Sequence, residues 1–142
     1  MPFLDATKIQ SMLSKISLLG GLCDTQLKTV VSELRTLSFK KDDVIFKQNE
    51  LPTYIYIVLT GQVKIFSQYQ DTLLELLVVE PGQCFGETAL IGIQPHSVSA
   101  AALNDCELII LTREALLTLF EKDKELYSML ILNIARETSR HL

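Results

Sequence analysis

The sequence has no tryptophan, only two histidines (His96 and His141), and three cysteines far apart along the chain. Cys23, Cys84 and Cys106 are odd in number and form no C-x-x-C or Cys/His cluster, so neither a disulfide framework nor a zinc site is expected, and a reducing cytoplasm fits best. There is no H-x-x-x-H, G-x-S-x-G or Walker pattern. Catalysis needs a placed nucleophile with its base and orienting partner, or a metal cluster, so no enzyme is expected, and no catalytic or metal-binding residue is assigned.

Positive charge is also scarce. Thirteen Lys and Arg stand against 17 Asp and Glu, for a net charge of −4. Non-specific affinity for duplex nucleic acid comes mainly from Lys and Arg neutralising phosphates, so this balance argues against a DNA-binding surface. Arg136 and Arg140 form the best local basic pair, and two arginines four apart on a helix read first as a solvated face. Nowhere does an apolar run approach the length of a membrane span. Asp5 and Lys8 interrupt the apolar pattern of Met1 to Leu13, so a signal peptide is not expected either.

What remains is ordinary globular material: 48% hydrophobic and 21% charged over 142 residues, enough for one domain that buries roughly two-thirds of its unfolded surface. From Asp5 to Ile16 the apolar residues Ile9, Met12, Leu13 and Ile16 recur at helical spacing, until Gly20-Gly21 breaks the pattern. Asp24 is a candidate N-cap for a second helix with Leu27, Val30, Val31 and Leu34 on its apolar face. Beyond Arg35 the period changes to two. Short strands are expected at Val44–Phe46, Tyr54–Leu59, Val63–Phe66, Leu73–Val79, Ser97–Leu103 and Glu107–Leu111, separated by Gln48-Asn49-Glu50, Thr60-Gly61, Pro81-Gly82 and Asn104-Asp105. Helical spacing returns with Thr112 as a cap and Leu116, Leu117 and Phe120 on one face, followed by a last helix from Lys124.

The order predicts an α+β domain over residues 1–142: N-terminal helices in 1–35, a β-roll or jelly-roll of about eight antiparallel strands in 36–111, and C-terminal helices in 112–142. Alternating βαβ units are absent, so a Rossmann fold is disfavoured. The most informative stretch is Pro81-Gly82-Gln83-Cys84-Phe85-Gly86-Glu87-Thr88-Ala89-Leu90, followed after four residues by Pro95-His96-Ser97-Val98-Ser99. Gly86 permits a sharp turn, and Glu87 to Leu90 suit one helical turn whose free N–H groups attract an anion while the Glu87 carboxylate accepts from a sugar hydroxyl. The same residues also suit a plain capped turn between strands, and both readings stand at this point.

These segments resemble the cyclic-nucleotide-binding domain family, in the form of a catabolite activator protein-like sensor domain. The resemblance spans nearly the whole chain. It rests on Leu18-Leu19-Gly20-Gly21-Leu22, on Lys41-Asp42-Asp43-Val44-Ile45-Phe46 where the family reads K-G-x-x-I, and on Tyr54 to Gly61. Pro81-Gly82, Phe85-Gly86-Glu87-Thr88-Ala89-Leu90 and Cys106-Glu107-Leu108 complete it. It implies a β-roll in which Glu87 binds the ribose 2′-hydroxyl, the N–H groups of Gly86, Glu87, Thr88 and Ala89 help hold a cyclic phosphate, and Ser97 or Ser99 offers a hydroxyl. It also places His96 where the family carries its phosphate-binding arginine. Arginine presents a permanently charged fork and neutral histidine a single donor, so the exchange should cost about 1.5–3 kcal/mol, roughly ten- to a hundredfold in affinity. A further departure puts Asp42 and Asn49 at turn positions where the family has glycine; both residue types tolerate left-handed backbone.

The expectation is therefore a stand-alone cytoplasmic regulatory domain that senses cAMP, cGMP or a related anionic small molecule, without a cofactor, and signals through its C-terminal helix to a protein partner. The alternative is an interaction domain whose site no longer takes nucleotide. Family members that bind DNA carry a helix-turn-helix after the last helix, and with the sequence ending at Leu142 none is expected in cis. The stripe Leu126, Met129, Leu130 and Ile134 is open to two uses, pairing two copies as a homodimer or covering the chain's own core.

Overall fold

The computed structural model describes residues 2–4, 12 and 15–140. The expected first helix over Asp5–Ile16 lies almost wholly outside the described residues; of its apolar face, Ile16 is buried and Met12 packs against the core. A 3-10 turn, Ser17–Leu19, leads to α1 (Asp24–Val31). Its cap falls one residue earlier than expected. Cys23 holds the N-cap position with its N–H donating to the Gln26 side chain at 3.0 Å, and Asp24 becomes the first-turn acid, where it complements the helix dipole.

Eight antiparallel strands follow: β1 (Arg35–Phe39), β2 (Val44–Phe46), β3 (Tyr54–Thr60), β4 (Val63–Tyr69), β5 (Thr72–Val79), β6 (Cys84–Phe85), β7 (Ser99–Ala102) and β8 (Cys106–Thr112). They form two four-stranded sheets, β1-β8-β3-β6 and β2-β7-β4-β5, which is the expected jelly-roll with helices on either side in sequence. Three helices complete the chain: α2 (Glu87–Gly92) between β6 and β7, α3 (Arg113–Lys122) and α4 (Lys124–Arg140). The β3–β4 turn runs through Gly61-Gln62, where Gly61 has φ +81° and an added Cβ would lie 2.4 Å from the Asp105 carbonyl oxygen, so no other residue fits.

The sheet containing β3 and β8 is buried on both faces, which is why those strands read as unbroken apolar runs. Ile55, Ile57, Leu59, Ile109 and Leu111 face the helices and meet Leu18, Val30, Leu34, Leu116, Leu119, Leu126, Leu130 and Ile134. The alternate residues Tyr56, Val58, Leu108 and Ile110 face into the roll against Phe46, Val63, Ile65, Val79, Phe85, Ala100 and Ala102. Each such aliphatic side chain contributes about 1.5–3 kcal/mol by leaving water, so this double-faced sheet carries much of the stability.

Two helix faces differ from their sequence reading. Thr112 caps α3 as expected, its hydroxyl accepting from the Ala115 N–H at 3.0 Å. The inward direction, however, runs through Ala115, Leu116 and Leu119, which throws Leu117 (59% exposed) to the far side and Phe120 (42% exposed) to the flank against Tyr127. On α4 the stripe Leu126, Leu130 and Ile134 turns inward and joins the core, with Met129 half-buried at its margin. The stripe is used for intramolecular packing, so its apolar character is accounted for without a second copy. No helix among the described residues is long and apolar enough to cross a membrane.

Candidate functional site

The site is built where the roll meets α2. β6 pairs with β3 through Phe85 opposite Tyr56 and Cys84 opposite Ile57. Gly86 then adopts φ +78°, and a Cβ there would come within 3.1 Å of the Tyr56 ring, so glycine is required both for the turn and for the close approach. The turn carries the chain into α2, whose first residue, Glu87, is 1% exposed. Thr88 and Ala89 follow within the same helix, Thr88 on its outer side.

Glu87 and Thr88 share a cavity of about 490 Å³ with Gly86, His96 and Ser97, so the residues singled out in the sequence on both sides of α2 do converge. Ile65, Leu77, Val79, Phe46 and Phe85 form its apolar wall, and Thr138 of α4 reaches its edge. Thr138 escaped the sequence reading, although it lies four residues after the buried Ile134 and so one turn along the same face. Ser99 is placed elsewhere. As the first residue of β7 it alternates away from Val98, its Oγ accepts from the Gln48 N–H at 2.9 Å, and it lines a separate cavity with Lys47, Gln48 and Gln68. Its hydroxyl therefore serves the 47–50 loop, and of the two serines Ser97 is the one at the site.

His96 is 3% exposed and lies flat on Phe46, with ring centroids 3.6 Å apart and planes within 7°. Its backbone is fixed as well: the His96 N–H donates to the Glu50 carbonyl at 2.9 Å, and the Asn49 N–H donates to the His96 carbonyl at 2.8 Å. Asn49 makes that bond from a left-handed conformation, φ +75°, and Asp42 has φ +73°, as expected for glycine-like turn positions. Burial pushes the His96 imidazole below its ordinary value, and the negative charge of Glu50 only partly opposes it. At neutral pH the ring is therefore uncharged. Among the described residues that line the cavity there is no lysine or arginine, so nothing replaces the cation that His96 does not supply.

Beneath α2 the Cys84 thiol is fully buried; burial together with Glu87 and Glu137 pushes its pKa far up, which leaves it a packing residue and no nucleophile. On the other side of Cys84, α4 is fastened to the 3-10 turn. Asn133 donates from Nδ2 to the carbonyls of Leu18 and Gly20, both at 2.9 Å, and Glu137 accepts from the Ser17 hydroxyl and from Arg140. Ser17 in turn donates its N–H to the Gly82 carbonyl at 3.1 Å, and the Gly82 N–H bonds the Val58 carbonyl at 2.8 Å, so α4 is tied through one turn to the strand pair that presents the site.

Comparison with known proteins settles the lineage. The family described as "Cyclic nucleotide-binding domain" matches residues 36–123, from the first strand past the end of α3. The chain belongs to the cyclic nucleotide-binding domain family. Its curated relatives include the cyclic AMP receptor protein of Thermus thermophilus, 32% identical over 108 residues that make up 74% of this chain and 49% of that protein. The regulatory subunit of cAMP-dependent protein kinase from Eremothecium gossypii is 31% identical over 105 residues, 74% of this chain and 22% of that one. Among solved structures, the Thermus thermophilus catabolite activator protein superposes with a TM-score of 0.78 at 28% identity, covering 87% of this chain and 57% of the other. A cyclic nucleotide-binding domain from Methylobacillus flagellatus reaches 0.83 at 20% identity, covering 94% and 76%, and at that identity shows the shared fold. This cyclic nucleotide-binding domain thus spans about half the length of the cyclic AMP receptor protein it resembles. These named relatives are regulatory proteins.

Proposed function

We propose that this domain senses a cyclic mononucleotide, cAMP or cGMP, in the cavity beside Glu87 and passes the event through α4 to a protein partner. The observation that carries the reading is the convergence of Glu87, Thr88, His96, Ser97 and the α4 residue Thr138 on one cavity. A ribose 2′-hydroxyl would donate to the Glu87 carboxylate, and the phosphate would meet the N–H groups of the Gly86–Ala89 turn with the Ser97 hydroxyl beside them. Contact with Thr138 would give a ligand a direct hold on α4, which the Asn133 and Glu137 bonds already join to the roll. Neutral His96 makes the phosphate grip weak.

A second reading, a protein-interaction domain whose site no longer takes nucleotide, is favoured by the lack of any cationic side chain on the cavity wall. Titration calorimetry separates the two. The natural protein should bind cAMP or cGMP weakly, His96→Arg should tighten binding about tenfold or more, and Glu87→Ala should weaken it by removing the hydroxyl acceptor. Binding by the natural protein should also tighten as the solution is acidified and His96 takes up a proton. Failure of both the natural protein and the arginine variant to bind any cyclic mononucleotide from mildly acidic to neutral pH would establish the interaction-domain reading.

A further inference from the structure

The cavity holds one ionisable acid, Glu87, and no lysine or arginine, while the residue at the family's cationic position is buried and stacked on an aromatic ring. A cyclic phosphodiester is a permanent monoanion. Bringing it into this space would strip its water with no countercharge to replace it, and would set it near a carboxylate. The nearby helix offers little relief: α2 is six residues long, and the Leu90 N–H bond to the Gly86 carbonyl that closes its first turn is stretched to 3.4 Å, so its summed dipole is small. The arginines of the C-terminal helix are committed elsewhere, Arg136 to Asn133 and Arg140 to Glu137, and Lys47 lines the separate cavity with Ser99.

The other two-thirds of a nucleotide are well provided for. Phe46, Ile65, Leu77, Val79 and Phe85 form an apolar, partly aromatic wall suited to a flat base. An ionised carboxylate has two oxygens and accepts only, which matches a sugar's pair of neighbouring hydroxyls, each bringing a proton to donate. Where the phosphate would lie, the available groups are the Ser97 and Thr88 hydroxyls and a neutral imidazole, all of which can bond a neutral hydroxymethyl group without a charge to balance.

We infer that the ligand this cavity holds best is an uncharged nucleoside with free vicinal hydroxyls, in preference to the cyclic phosphate of the same nucleoside. The inference rests on the reading of this cavity as the ligand site and sharpens its chemistry. Adenosine, guanosine, their 2′-deoxy forms, cAMP and cGMP are the probes, titrated by calorimetry into the full chain at pH 7.5 and checked by thermal shift. At least one ribonucleoside should bind about tenfold or more tightly than its cyclic phosphate, and its 2′-deoxy form should lose most of that affinity.

A cation placed on the wall should reverse the order. His96→Arg, and Ser97→Arg as a second variant should the first not fold, should favour the cyclic phosphate over the nucleoside. Tighter or equal binding of the cyclic phosphate by the natural chain would overturn the nucleoside inference and leave the sensor reading intact. Binding of no probe by the natural chain or by the folded arginine variant would overturn both.

Discussion

Polar side chains are buried in two places, and they are used differently. At the junction of α4 with the 3-10 turn, the bonds of Asn133 and Glu137 close on Leu18, Gly20, Ser17, Arg136 and Arg140, all within the chain. In the cavity beside α2, Glu87, Thr88, His96 and Ser97 share a wall around about 490 Å³ of space. The junction consumes its hydrogen-bonding capacity to hold a helix in place, whereas the cavity presents side chains to a common volume. Charge follows the same division: the arginines lie on the junction side, and the cavity side has none among its described lining residues. Helix α4 belongs to both, with Asn133 in the junction and Thr138 little more than one turn later at the cavity.

The largest effect should come from removing the packing under α4 that both regions depend on. Leu130 is fully buried, so Leu130→Ala should cost about 2–5 kcal/mol of unfolding free energy in urea titrations, through lost burial plus a residual cavity. Leu132, 56% exposed on the opposite face, is the control, and Leu132→Ala should change stability by no more than about 0.5 kcal/mol. Equal losses at the two positions, growing with protein concentration, would mean that the outer face is covered by a second copy and that the division drawn here is incomplete.

Most of the architecture was legible because burial leaves a periodic trace. The change of period at Arg35, the apolar runs of β3 and β8 and the Thr112 cap all came from local chemistry that the fold then uses. The cassette was legible as a motif, since Gly86 followed by Glu87 has few other uses next to a strand. Direction was harder to read. The face of α3 was placed around Leu117 and Phe120 because apolar identity alone does not fix the inward axis, and Ala115 and Leu119 define it instead. Ser99 was grouped with Ser97 although the two-residue step sits at the entry to β7, where the Gln48 amide captures its hydroxyl. The missing countercharge could not be read at all, because which lysines and arginines reach a cavity is set by long-range packing.

Breaking the junction itself should have the next largest effect. Asn133→Ala leaves the Leu18 and Gly20 carbonyls without their donor in a mostly dry setting and frees Arg136, so a loss of about 1–3 kcal/mol is expected in the same urea titration. The change should be additive with His96→Gln, since no bond described here links the two sites directly. A loss under about 0.5 kcal/mol would show that water satisfies these carbonyls and that the junction is less closed than its geometry indicates.

The smallest effect tests the cavity side through pH. His96 titrates below its ordinary value of about 6.5 because burial disfavours the imidazolium, with Glu50 partly opposing. In that case the unfolded chain takes up the proton first. Folding stability that is complete above pH ~6.5 should fall as the solution is acidified through the folded-state value, where the native ring must also charge. Other groups titrate in the same range, so the quantity to follow is the difference in unfolding free energy between the natural protein and His96→Gln, which cancels them. That difference should be flat from pH 8 to 7 and then shift against the natural protein as pH drops, by roughly 1.4 kcal/mol for each unit by which the folded and unfolded values differ. A shift in favour of the natural protein would mean that Glu50 outweighs burial and that His96 carries charge near neutrality. The cavity would then possess the cation that its wall otherwise lacks, and the preference for an uncharged ligand would lose its physical basis.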